Sequence, residues 1–149
     1  MQPSTFLYFD GRAEEAAELY TGIFTDSAII DRQLDPEGAV SRITFELAGQ
    51  RYMAYNGNAR FVFTSAISIY VDCETQEEVD KLWSALTLGG QEGPGGSLTD
   101  RFGVTWQVYP TELRELLDAA EPAAAARILN ALHAMRKIDV AGLRAAGAG

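Results

Sequence analysis

The chain has 149 residues, 47% of them apolar and 22% charged, with a formal net charge of −9. That composition predicts a soluble globular protein large enough to bury a real core, and no apolar run approaches the roughly 18 residues of a membrane span. The five acids and five bases after Thr111 cancel, so the first 111 residues carry the whole excess; such a surface repels phosphate backbones and acidic lipid heads, and neither nucleic acid nor membrane is expected as a partner.

Phe6-Leu7-Tyr8-Phe9-Asp10, apolar and ending in an acid, reads as a first strand. Gly11 and Arg12 follow, and Ala13–Phe24 places apolar residues at 16, 17, 20, 23 and 24, a helical spacing. Asp35-Pro36-Glu37-Gly38 predicts a turn, and Val40–Leu47 and Arg51–Tyr55 bracket Ala48-Gly49-Gln50 as a hairpin. Residues 56–64 then form a linker.

A second copy of the same unit follows, so that residues 5–56 and 66–110 read as a repeat. Ile67-Ser68-Ile69-Tyr70-Val71-Asp72 again ends in an acid. Thr75 is a candidate helix N-cap with Glu78 completing a capping box, and the helix should run to about Leu88 before Gly89-Gly90. Gly93-Pro94-Gly95-Gly96 predicts a flexible loop and Asp100-Arg101-Phe102-Gly103 a tight turn. The closing stretch Gly103–Tyr109 aligns over Gly49–Tyr55. Three short helices are expected at Glu112–Leu117, Pro122–Met135 and Asp139–Ala145, with the final Gly-Ala-Gly frayed. The stripe Ile128, Leu129, Leu132 and Met135 suits core packing or a subunit contact better than a ligand site.

Strand alternation sorts the sheet residues into two faces. Ile67, Ile69, Val71, Val104, Trp106 and Val108 form an apolar face that must meet the helices. The other face carries Ser68, Tyr70, Thr105, Gln107 and Tyr109, with Thr5, Leu7, Phe9, Arg51, Met53 and Tyr55 as the first-copy counterparts. A tyrosine-rich face with isolated polar groups suits a concave ligand pocket, the plainer reading being a half-exposed outer sheet face. The expected pocket residues are Phe9, Arg51, Met53, Tyr55, Ser68, Tyr70, Thr105, Gln107 and Tyr109.

Catalytic chemistry finds little support in the residue inventory. The one histidine, His133, lies beyond the repeats and reads as a solvated surface residue; no HExxH, CxxC or paired-His spacing occurs, so no metal is expected. Cys73 sits between Asp72 and Glu74, acids that raise a thiol pKa, which favours a structural role; a lone cysteine also fits a reducing cytoplasm. No basic-then-apolar leader precedes the first strand, so secretion is not expected. Gly89–Gly96 lacks both phosphate-cradle patterns, and no cofactor is expected. Acid–base work by Tyr55, Tyr70 or Tyr109, with Arg51 as an anion clamp, stays open beside a purely lining role.

Phe6–Ala16 resembles the opening motif of PhnB-like proteins. These belong to the vicinal oxygen chelate superfamily, with glyoxalase I, bleomycin-resistance proteins and extradiol dioxygenases. Met53–Gly57, Phe63–Ser68, Thr75–Glu78, Asp100–Val108 and the tail Met135–Leu143 resemble it too, so the likeness covers nearly the whole chain. It implies paired βαββα-type or βαβββ modules and, commonly, a homodimer. Members of this branch are labelled 3-demethylubiquinone 3-methyltransferase, and the chain has no glycine-rich S-adenosylmethionine loop. The superfamily's metal positions fall by this resemblance on Thr5, Met53, Ala66 and Gln107, or on Leu7 and Ser68 if the first and third move by two; of these only Gln107 is of a ligand type.

The expected fold is therefore α+β: two tandem βαβββ modules, about residues 1–58 and 64–111, in a curved mixed sheet with a concave pocket, plus C-terminal helices over 112–149. The expected function is that of a metal-free cytoplasmic homodimer holding a small molecule in the sheet cavity. The alternatives are a lyase, oxygenase or acid–base enzyme of the same superfamily, and a structural or regulatory dimer without ligand.

Overall fold

The structure, a computed structural model, describes residue 1, residues 3–57 and residues 60–149, so part of the expected 56–64 linker lies outside the described residues. It divides into two compact units, Met1–Val62 and Phe63–Gly149. Each holds one four-stranded mixed sheet built in the order strand, helix, three strands, and the second also carries three C-terminal helices.

The first unit comprises β1 (Thr5–Phe9), α1 (Ala13–Ile23), β2 (Ser27–Leu34), β3 (Val40–Leu47) and β4 (Gln50–Asn56), with sheet order β1-β4-β3-β2. β1 runs parallel to β4 and the other pairs are antiparallel. α1 buries Ala13, Ala16, Ala17 and Tyr20, one stripe at helical spacing, against the sheet. Its own N-cap residue, Arg12, makes no side-chain cap bond. The Ala13 N–H instead donates to Oδ1 of Asn56 (2.8 Å), whose Nδ2 donates to the Val40 carbonyl (2.8 Å), so one asparagine on β4 caps the helix and fastens β3. Ala48 and Gly49 turn the β3–β4 hairpin with φ of +47° and +80°, the positive values a type I′ turn requires.

The second unit repeats the plan with β5 (Ile69–Cys73), α2 (Gln76–Thr87), β6 (Gln91–Glu92), β7 (Ser97–Thr99) and β8 (Thr105–Pro110), in the order β5-β8-β7-β6. Thr75 caps α2 as expected, its Oγ1 accepting from Glu78 N–H (3.2 Å). The return bond of the box goes one residue early, from Glu74 N–H to the Glu78 carboxylate (2.7 Å). α2 buries Val79, Leu82, Trp83 and Leu86. Asp100, 3% exposed, organises the turn before β8: its carboxylate accepts from Phe102 N–H (2.9 Å), Val104 N–H (3.0 Å) and the Trp106 indole (2.9 Å).

The extension contains α3 (Glu112–Ala119), α4 (Pro122–Ala134) and α5 (Val140–Ala148), packed on Leu113, Ile128, Leu132, Ile138 and Leu143. Ile128 and Leu132 of the expected stripe are thus core, while Leu129 is 39% exposed. Two expectations are corrected here. Gly93–Gly96 is not a loose loop: Gly95 and Gly96 N–H donate to the Met135 and Arg136 carbonyls (2.8 Å each), and Gly96, at φ +81°, leaves no room for a Cβ beside Ile138 and the Val108 carbonyl. Nor is the C-terminus bare, since α5 runs to Ala148 and Arg127 donates to the Ala146 and Gly147 carbonyls (2.9 Å each). Gln76 adds a third tie, donating to the Ile138 carbonyl (3.0 Å) and accepting from Val140 N–H (2.9 Å).

Candidate functional site

In each unit one sheet face packs on the helix; in the first the opposite face is open, whereas in the second Tyr109 on that face packs on the C-terminal cluster and Thr105 is buried. On the first, β3 buries Ile43, Phe45 and Leu47 and β4 buries Tyr52 and Ala54. Alternation then turns Arg42, Thr44, Glu46, Arg51, Met53 and Tyr55 to the open side. β1 pairs Phe6 with Met53 and Tyr8 with Tyr55, so Phe6 and Tyr8 complete that face. Phe9, with Thr5 and Leu7, lies on the helix side and is 3% exposed, which corrects its expected place on the open face. A one-residue slip exchanges every side chain of a strand between faces, and four consecutive apolar residues leave that phase unmarked in sequence.

Phe6, Tyr8, Tyr55 and Phe61 form an exposed aromatic cluster. Phe6 and Tyr8 are 5.0 Å apart between ring centroids, Tyr8 and Tyr55 5.6 Å edge-on, and Tyr8 and Phe61 4.9 Å. Rings in such tilted and edge-on arrangements attract through their quadrupoles, yet each remains more than a third exposed. Arg51, expected as an anion clamp, is committed across the strands to Glu46, with Nη2–Oε1 at 2.9 Å. The cation that sequence reasoning overlooked is Arg42, cross-strand from Tyr55; its buried Nε has no hydrogen-bond partner among the described residues. The alternation of Arg42-Ile43-Thr44-Phe45-Glu46-Leu47 was the signal that marks it.

On the second unit β8 buries Trp106 and Val108 against α2 and turns Thr105, Gln107 and Tyr109 to the opposite side. Tyr70 pairs with Gln107, and Asp72 with Tyr109. Gln107 and Tyr109 are half-buried, whereas Thr105 is only 7% exposed and Ser68 sits just before β5. Ile67, expected in the apolar core face, lies outside β5 and is 75% exposed. Asp72, absent from the expected pocket residues, adds a carboxylate to this face. Tyr70 donates its hydroxyl to Asp72 (3.1 Å) and stacks on Tyr109 at 5.3 Å, while the Tyr109 hydroxyl donates to the Gly95 carbonyl (2.6 Å). Burial, then the bond to Asp72 and its charge, raise the Tyr70 phenol above its ordinary value, and burial raises Tyr109. Both stay protonated at neutral pH and serve as donors; neither is poised as a base.

A metal fits this geometry poorly. Across from Met53 stands Phe6 and across from Gln107 stands Tyr70; Thr5 is on the helix side and Ala66 lies before β5. Among the described residues no group of three or more His, Cys, Asp or Glu is placed to hold an ion. Cys73 is buried, and burial followed by Glu78 and Asp72 pushes its thiol up to about 12, so it is no nucleophile. His133 is exposed on α4.

Residues 2–109 match the family model described as 3-demethylubiquinone-9 3-methyltransferase. A solved structure described as a putative 3-demethylubiquinone-9 3-methyltransferase, PhnB protein, from Bacillus cereus is 36% identical, covering 74% of this chain and 100% of its own, with a TM-score of 0.69. A Pseudomonas aeruginosa protein (20% identity, 74% and 97% coverage, TM-score 0.63) shares the fold. So does a variant of the fosfomycin resistance protein FosX from Listeria monocytogenes (16%, 77% and 97%, TM-score 0.57), complexed there with Mn(II) and 1S,2S-dihydroxypropylphosphonic acid. No curated protein matches the sequence. The chain belongs to the PhnB-like family described as 3-demethylubiquinone-9 3-methyltransferase.

Proposed function

We propose that this protein binds a small, partly aromatic molecule on an open sheet face, without a resident metal. The observation that carries the reading is the cluster of Phe6, Tyr8 and Tyr55, each 37–42% exposed, on a face whose core-side counterpart is fully packed. Exposed rings gathered in one place, beside a flexible Met53 and polar neighbours, are what a ligand site requires and what a plain solvated face avoids. The metal-free part rests on donor chemistry taken unit by unit: Phe6 and Met53 of the first offer no hard oxygen ligand, and Tyr70 and Gln107 of the second offer no carboxylate or imidazole. The family resemblance supports a homodimer, the lone buried Cys73 supports a cytoplasmic setting, and the charge of −9 argues against nucleic acid and membrane partners.

A thermal-shift screen of small aromatic molecules, run beside elemental analysis of the purified protein, tests the reading. Expected are ligands that raise the melting temperature of the wild type and not of Tyr55→Ala, with no stoichiometric Zn, Fe, Mn or Ni. A stoichiometric metal overturns the metal-free part, and turnover of a bound ligand would move the protein to the enzyme class.

A further inference from the structure

The first unit holds five arginines and no lysine. Arg12 pairs with Glu15, Arg32 with Glu14 and Arg51 with Glu46, while Arg60 lies over the Phe61 ring at 5.1 Å. Arg42 differs: it is half-buried on the open face and its Nε, shielded from solvent, has no acceptor among the described residues. A buried charged donor without an acceptor is costly, because water has been removed and nothing replaces it. Such groups are few in native proteins, and a functional role, including one that brings in an external ion, is among the explanations for each.

Its neighbours indicate what that partner is. Arg42 stands directly cross-strand from Tyr55, on the face that carries the exposed aromatic cluster. Directly opposed side chains on a sheet are within contact distance. A guanidinium fork accepts a carboxylate in its own plane, and rings beside it take an aromatic body by offset or edge-on stacking. The same face also carries Asp31, cross-strand from Thr44, and Glu46. A single cation, Arg42, with a shielded Nε that lacks an acceptor among the described residues, set beside these acids, suits a single negative charge and disfavours a phosphate dianion.

We infer that Arg42 and the adjoining Tyr55–Tyr8–Phe6 cluster form a binding site for a small aromatic monocarboxylate. The inference rests on the small-molecule reading above and deepens it by naming the ligand class. Benzoate, its neutral isostere benzamide, and the non-aromatic cyclohexanecarboxylate are the probes, titrated into the full chain and followed by NMR. Benzoate should shift the Arg42 Nε–H resonance of the wild type and bind about tenfold or more tighter than benzamide, the worth of a charge-assisted hydrogen bond. Arg42→Met should erase that preference and, without ligand, raise the melting temperature, since it removes the orphaned donor. Tyr55→Leu should reduce the preference for benzoate over cyclohexanecarboxylate.

Benzoate that leaves the Arg42 Nε–H unmoved overturns the inference, and this result needs no variant to fold. Benzamide or another neutral aromatic binding equally well at Tyr55 also overturns it, while leaving the small-molecule reading intact. If neither charged nor neutral aromatics bind, both fall.

Discussion

Asp100 supports three donors from one buried carboxylate, and Asp100→Asn is the substitution whose cost can be worked from the structure. The Oδ1 side, which accepts from Phe102 and Val104 N–H, can be kept by the asparagine carbonyl. The new amide then points at the Trp106 indole N–H, which has lost its acceptor at Oδ2 (2.9 Å). A buried donor facing a donor, with a charge-assisted bond lost, costs about 2 kcal/mol. Asp100→Ala orphans all three, of which Val104 N–H and the indole are buried, and should cost about 4 kcal/mol. Against a typical domain stability of about 5–15 kcal/mol, the alanine variant would be severely weakened. Both tryptophans, Trp83 and Trp106, lie in the second unit, so intrinsic fluorescence during urea unfolding reports on it directly. The urea midpoint should fall in the order Ala below Asn below wild type with little change in slope. Trp106→Phe removes the orphaned donor, so in that background Asp100→Asn should cost about 1 kcal/mol less. Equal costs in both backgrounds would refute the reasoning.

Further predictions concern local backbone and thiol chemistry. Ala48→Asn should raise stability by about 0.5–1 kcal/mol in urea melts, since asparagine tolerates the +47° φ that alanine resists. Gly96→Ala should cost about 2 kcal/mol or more, because the new Cβ would lie 2.6 Å from Ile138 Cδ1 and 2.9 Å from the Val108 carbonyl. Gly95→Ala, also at positive φ but with its nearest neighbour 3.8 Å away, should cost clearly less; equal losses would show that the clash is unimportant. Cys73 should resist alkylation at pH 8 until urea unfolds the chain, and rapid labelling of the native protein would contradict its burial. Since its folded value is raised from near 9 to about 12, the stability it contributes is fully present below pH 9 and is lost as pH rises from there toward 12.

What the sequence revealed and what it hid divide along physical lines. Turns and caps are written in short strings: Asp35, whose carboxylate accepts from Glu37 and Ala39 N–H, and Thr75 at the start of α2 were both legible. The β1 face was not, because Phe6-Leu7-Tyr8-Phe9 has no polar residue to mark its phase, and the parallel register with β4 decides it. Two-residue β6 and three-residue β7 carry too little pattern to announce themselves. The Gly93–Gly96 segment looked loose because its partners, Met135 and Arg136, lie about forty residues away. Arg42 could be placed on the open face by alternation, but its isolation depends on Glu46 pairing with Arg51, a choice made only in the folded sheet.

The central claim is that the open face of the first unit takes a small aromatic molecule. Among the three methionines, Met53 lies on that face and Met135 packs in the C-terminal cluster. Methionine-methyl NMR of the full chain, titrated with aromatic carboxylates and their neutral analogues, therefore carries an internal control. A saturable shift is expected at Met53, none at Met135, and the Met53 shift should be lost in Tyr55→Ala. A Met53 signal that no aromatic molecule moves, or that moves unchanged in Tyr55→Ala, would contradict it.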